Sequence, residues 1–131
     1  MQTFDVAIVG TGGIAAFHAQ ALAELADRVR IVAAVDIDEN RLREFGGRFN
    51  VPRLHRSLTE LFAAGPPDIV DLCTPPAAHA EQAIACLDHG VTVICEKPPA
   101  LSLAELDRIA ARTEASGPHF ATVFQHRFGS G

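Results

Sequence analysis

Residues Phe4 to Ala16, FDVAIVGTGGIAA, restrict what this chain can fold into more than any other stretch. They read as a strand that runs through a glycine turn directly into a helix. Val6, Ala7, Ile8 and Val9 leave the strand without a polar face, as in a parallel sheet covered on both sides. Gly10, Gly12 and Ala15 then fall at the G-x-G-x-x-A spacing. Each position has a steric reason: Gly10 permits the tight turn, Gly12 lets a pyrophosphate reach the backbone, and Ala15 keeps helix and strand close. The helix opening at Gly13 and Ile14 aims free N–H groups and the positive end of its dipole at that pyrophosphate. Glycines at these intervals occur in many loops. The strand before them, the helix after them and an acidic residue farther on make the pattern a dinucleotide fingerprint.

Strand and helix signals alternate through the rest of the chain. Ile14, Phe17, Ala21, Leu22 and Leu25 recur at helical spacing and predict a helix over 13–26 with an apolar face. His18 falls on or near that face and is expected to be a structural histidine bonded to a backbone carbonyl. A second strand over 29–35 ends at Asp36, where a carboxylate accepts both ribose hydroxyls of an adenosine. Beside a 2'-phosphate it would place like charges about 4 Å apart, unfavourable by about 4 kcal/mol per unit charge at a dielectric near 20. Asp36 therefore favours NAD over NADP. Asp38 is better placed to cap the next helix, over 39–49, whose Arg41 and Arg43 are expected on its solvated face.

A short edge strand follows over 51–54, then a capping box of Ser57 and Glu60 that starts a small helix. A fourth strand over 68–73 carries Asp71, which has no evident role in the sequence. Thr74-Pro75-Pro76 breaks the chain before a helix over 77–89, with His79 in its first turn. A fifth strand over 91–95 delivers Glu96-Lys97-Pro98-Pro99 to the same rim as Gly12 and Asp36. An ammonium beside a nicotinamide suits proton exchange with a substrate hydroxyl as hydride leaves the adjacent carbon. A helix capped by Ser102 and Glu105 and a sixth strand over 119–125 complete the series. The whole predicts one dinucleotide-binding domain, residues 1–131, α/β and doubly wound on a mostly parallel sheet of about six strands.

Composition narrows the partners. A chain of 131 residues buries roughly two thirds of its unfolded surface and needs no metal to fold. A net charge of -5 and the lack of a Lys/Arg run argue against nucleic acid or an anionic membrane, leaving a small ligand. The N-terminus lacks a basic signal region and no apolar run approaches a bilayer span, so a cytoplasmic location is expected. Three cysteines cannot all pair. A Cys73–Cys95 bridge between neighbouring parallel strands would be strained, which predicts three free thiols.

With these residues in place, the chain resembles the N-terminal domain of the glucose–fructose oxidoreductase, inositol dehydrogenase and rhizopine-catabolism family of NAD(P)-dependent oxidoreductases. The resemblance rests on GTGGIAAFHAQAL, on Asp36, on TPPAAHAEQAIACLDHGVTVICEKP and on the terminal QHRF. It implies a Rossmann domain of strand order 3-2-1-4-5-6 and hydride transfer between a nicotinamide and a sugar, cyclitol or related polyol. It assigns the cofactor to Gly10, Gly12, Gly13, Ile14, Asp36, Thr74, Pro75, Pro76, His79, Glu96 and Lys97, with Lys97 also the catalytic group. His126 and Arg127 are implied on the substrate side. Pro99 stands where the family usually has a larger apolar residue. The family's C-terminal substrate domain is absent, so this chain is expected to bind cofactor without turnover. Phe124 and Phe128, left uncovered, predict self-association into a homo-oligomer. Two other readings stay open: an NAD-sensing module without catalysis, and an S-adenosylmethionine-dependent methyltransferase-like domain. Lys97-Pro98 favours the enzyme, because a sensor needs no ammonium there.

Overall fold

The computed structural model describes residues 2–123, apart from the side chains of residues 115 and 116. Strands β1 (Phe4–Val9), β2 (Val29–Val35), β3 (Arg53–His55), β4 (Ile69–Leu72), β5 (Thr92–Glu96) and β6 (Phe120–Val123) alternate with helices α1 (Gly13–Ala23), α2 (Glu39–Phe49), α3 (Leu58–Ala63), α4 (Pro76–Asp88) and α5 (Leu103–Ser116). The strands form one sheet in the order β3-β2-β1-β4-β5-β6, and every neighbouring pair is parallel. Each crossover therefore needs a helix, and the alternating pattern supplies one.

The period of two along the strands sorts their side chains onto two faces. Ala7, Val9, Val70, Leu72 and Val93 meet Leu61, Leu87 and Ile109 from α3, α4 and α5. Ile8 and Ala34 meet Ala15 and Ala19 of α1 and Leu42 and Phe45 of α2 on the other. Ile8, Leu61 and Leu87 are completely buried, each contributing roughly 1.5–3 kcal/mol over an exposed position. Because α1 and α2 lie toward the β1–β3 side, the described residues leave an apolar groove of about 640 Å³ beside α1, lined by Phe17, Ile94 and Val123 among others.

Helix α1 departs from its expected course in two ways. It ends at Ala23 instead of 26, where Glu24 and Leu25 N–H turn to the carbonyls of Ala21 and Leu22 in tighter i→i+3 bonds. Its buried face is Ala15 and Ala19, and Phe17 is 70% exposed. Only methyl-sized side chains fit between a helix and a strand this close together. The edge strand β3 starts two residues late, beyond Pro52, which has no N–H to give to the ladder. Capping follows the expected chemistry: Ser57 and Ser102 accept the amides of Glu60 and Glu105, and Asp38 accepts that of Arg41.

Candidate functional site

Register brings the site together. Val9 stands level with Val35 and with Leu72, and Leu72 stands level with Cys95. The next residues, Gly10, Asp36, Cys73 and Glu96, therefore form a row along the C-terminal edge of the sheet. The strand order reverses between β1 and β4, which opens a crevice at that point.

Gly10 has a φ of +89°, and a Cβ built on it would lie 2.9 Å from both the C and O atoms of Cys73. The turns after β1 and β4 touch there, so the fold itself demands this glycine. Gly12 differs. Its φ of -81° suits any residue, and a Cβ would meet nothing within 4 Å. No protein atom requires Gly12; what it leaves is open space at the start of α1, above amides without helical partners.

A groove of about 760 Å³ runs from Gly10, Thr11 and Gly12 past Asp36, Ile37 and Arg41 to Ser57, with Thr74 and Pro75 on its other wall. Asp36 is 6% exposed and already holds the turn: one oxygen accepts the Thr11 N–H (2.9 Å) and hydroxyl (2.6 Å), the other the Asp38 N–H (2.8 Å). Burial pushes its carboxyl up, but those hydrogen bonds together with Arg41, 3.5 Å away, outweigh burial and hold it below the usual carboxylate range. Arg41 thus lies at the groove and not simply on a solvated face, while Arg43 bonds Asn40, its one partner among the described residues.

Four expected site residues are placed otherwise, one of them Glu96, whose buried side chain faces the groove beside α1 and bonds His18 instead of opening to the crevice. Pro76 occupies the first helical position of α4, where its missing N–H costs nothing, and does not line the groove. Ile14 turns its side chain to the groove beside α1, so only its backbone N–H remains for the crevice. His79, read as a rim residue open to a cofactor, is completely buried; its ring nitrogens lie 2.7 Å from the Pro98 carbonyl oxygen and 2.6 Å from that of Thr74. It joins the two rim turns from beneath. Gly13 opens α1 as expected. Lys97 is exposed, and its ammonium has no hydrogen-bond or ion-pair partner among the described residues. His126, Arg127, Phe124 and Phe128 lie outside the described residues.

Beneath α1 lies a buried charge cluster that the sequence alone does not suggest. His18 is bonded not to a carbonyl but to two carboxylates, its Nδ1 2.6 Å from Asp71 and its Nε2 2.6 Å from Glu96. Asp71 and Glu96 are 3% and 7% exposed. The Asp71 hydrogen bond is the largest influence on His18; burial opposes it, Glu96 adds to it, and the pKa is raised to about 9. The ring is an imidazolium at neutral pH. The signal lies in the register: Asp71 shares its face with Ile8, the face that α1 covers, and His18 is the one basic residue in α1. A buried carboxylate needs a cation. His18, Asp71 and Cys73 could present one ligand atom each within 4.8 Å of one another, but those atoms already bond among themselves.

Cys73, Cys86 and Cys95 are buried and unbridged. Burial pushes the Cys86 and Cys95 thiols up to about 12, and burial with the Asp71 charge pushes Cys73 higher still. Thiolate is the reactive form, so an aromatic disulfide reagent at pH 8 is expected to label none of the three in minutes and all three in denaturant. Rapid labelling of the native chain would contradict this burial.

The family described as "Oxidoreductase family, NAD-binding Rossmann fold" matches residues 4–124. The chain belongs to this family. It is 32% identical over 123 residues to a myo-inositol 2-dehydrogenase of Thermotoga maritima, covering 94% of this chain and 36% of that protein. It is 33% identical over 117 residues to a D-apiose dehydrogenase of Paraburkholderia graminis, covering 89% and 31%. Among solved structures, the WlbA dehydrogenase of Bordetella pertussis, crystallised with NADH and UDP-GlcNAcA, superposes with a TM-score of 0.93 at 28% identity, covering 98% of this chain and 39% of that one. The chain spans about a third of the length of the curated relatives it matches.

Proposed function

We propose that this chain is the NAD(H)-binding part of an oxidoreductase that moves hydride between a nicotinamide and an alcohol carbon of a sugar, cyclitol or related polyol. The observation that carries the reading is Gly12: the structure leaves open the space a side chain would fill, at a helix N-terminus, in the crevice where the strand order reverses. In this reading the amides after Gly12 hold the pyrophosphate, Asp36 accepts the adenosine ribose hydroxyls, and Thr74 and Pro75 wall the groove toward β5. When bound, the nicotinamide supplies the hydride acceptor or donor. Lys97, exposed just past the end of β5 and without a partner among the described residues, hydrogen-bonds the substrate oxygen; as the neutral amine it takes the hydroxyl proton when the alcohol is oxidised, and as the ammonium it returns that proton when the carbonyl is reduced. Asp36 favours NAD over NADP, and Arg41 beside it softens that preference without reversing it.

The chain has no Trp or Tyr, so ligand-induced thermal shift is the practical assay. NADH at a hundredfold its Kd is expected to add about 2.7 kcal/mol, a melting shift of roughly 10 °C for a chain of this size. NADPH at the same concentration shifts it less. A hydrogen bond to a charged acceptor contributes about 1.5–3 kcal/mol, so Asp36→Ala, which also removes the bonds from Thr11 and Asp38 that hold the glycine turn, should bind NADH at least about ten- to a hundredfold more weakly. Equal shifts with both cofactors would overturn the NAD preference, and no shift with either would overturn the reading. In the whole protein, Lys97→Ala should retain NADH and lose polyol turnover. Retained turnover would remove Lys97 from the chemistry.

A further inference from the structure

The segment Glu96-Lys97-Pro98 is held on both sides of the lysine, and the lysine itself has no partner among the described residues. Before it, the Glu96 side chain is fixed by His18 at 2.6 Å, and the same ring is bonded to Asp71. After it, the Pro98 carbonyl oxygen lies 2.7 Å from His79, whose other nitrogen is 2.6 Å from the Thr74 carbonyl oxygen. His18 stands on α1, the helix that opens at the glycine turn; His79 stands on α4, the helix that opens after Thr74 and Pro75. Each histidine thus ties the end of β5 to one wall of the crevice. Two buried carboxylates on neighbouring strands are a costly way merely to fill space beneath α1. We propose that His18 and His79 are positioning residues, which lock the Glu96–Lys97–Pro98 turn against the phosphate-binding turn and so shape the nicotinamide end of the crevice.

This inference rests on the dinucleotide reading above and adds to it a division of labour. The adenosine and pyrophosphate half depends on Gly12 and Asp36, which neither histidine touches. The nicotinamide half depends on the clamped turn. Comparing NADH with ADP-ribose, which has no nicotinamide, therefore separates positioning from general support of the fold.

The test is calorimetric titration of the purified chain with NADH and with ADP-ribose. His18→Gln is expected to weaken NADH about tenfold and ADP-ribose less than twofold; His79→Gln should act the same way. Glu96→Gln, which keeps the side chain's size, serves if a histidine variant does not fold. The unaltered chain gives a second readout. Between pH 8 and pH 10 its preference for NADH over ADP-ribose should fall with a midpoint near 9, as His18 loses its proton between Asp71 of β4 and Glu96 of β5, with the Cys73 and Cys95 thiols nearby. That midpoint should vanish in His18→Gln, whereas one arising from Lys97 would persist. Equal weakening of both ligands, or an unchanged ratio, overturns the positioning role. If the unaltered chain binds neither ligand, the dinucleotide reading falls and this inference with it.

Discussion

Gly10→Ala is expected to cost about 3 kcal/mol or more, and Gly10→Val to leave no folded protein. The backbone there has a φ of +89°, where an L side chain costs roughly 1–2 kcal/mol before any contact is counted. The added Cβ would also lie 2.9 Å from two backbone atoms of Cys73, and backbone cannot rotate away as a side chain can. The β4–α4 turn would have to shift, breaking the bond from the Cys73 amide to the Val9 carbonyl at 2.7 Å. Against a total stability of about 5–15 kcal/mol for a typical domain, the alanine variant should melt roughly 10 °C lower. Gly12→Ala is the contrast, two residues away. Its φ of -81° and empty surroundings predict a stability within about 1 kcal/mol of the unaltered chain, with NADH binding sharply reduced. Thermal melts of the two variants side by side check this, and a strongly destabilised Gly12→Ala would give that glycine a role in the fold.

The second large effect belongs to His18. His18→Leu leaves Asp71 and Glu96 buried without their cation, a change expected to cost about 3–5 kcal/mol. Replacing all three with apolar residues of similar size should recover most of that loss, because the desolvation cost disappears together with the attraction. The same cluster sets a pH dependence with a definite sign. The His18 pKa is raised from 6.5 unfolded to about 9 folded, so its stabilisation is complete below pH 6.5. It declines as pH rises and is gone once pH passes about 9. The buried thiols add a later loss, since they ionise in the unfolded chain above about pH 8.5 but not in the folded one. Urea unfolding between pH 6 and 8.5 should therefore show stability falling in the unaltered chain and flat in the apolar triple variant. A flat profile in both would mean that His18 is not the cation.

Most of the architecture was legible because the local signals agree with one another. Glycine at 10 and 12, capping serines at 57 and 102 and apolar runs bounded by proline and glycine each specify one element, and the parallel sheet follows from their alternation. Errors arose where packing overrode periodicity. Phe17 fits the apolar stripe of α1, yet the close approach of helix and strand selects Ala15 and Ala19 for burial and leaves the ring exposed. The crevice was legible where a residue acts on the fold through its own backbone or its place at a strand end, as Gly10 does against Cys73 and Asp36 does in its bonds to Thr11 and Asp38. It was obscure where side chains pair across the fold: His18 lies 53 residues from Asp71 and 78 from Glu96. Asp71 had no evident role in the sequence, because finding its cation requires knowing that it is buried and which helix covers that strand face. His79 misled for a related reason, since a histidine in the first turn of a rim helix can face outward or fold under the turn. Two backbone carbonyls decide it.

In the proposed function an adenine dinucleotide lies across the C-terminal edge of the sheet, over the turn between β1 and α1. Titrating the isotope-labelled chain with NADH and following its backbone amide resonances tests this directly. The largest shifts are expected at residues 10–15, at Asp36 and Ile37, and at Thr74, Glu96 and Lys97, with the loops at the opposite edge, around Asp27, Asp68 and Gly90, unmoved. Saturable shifts centred on that opposite edge, or none at millimolar NADH, would contradict it.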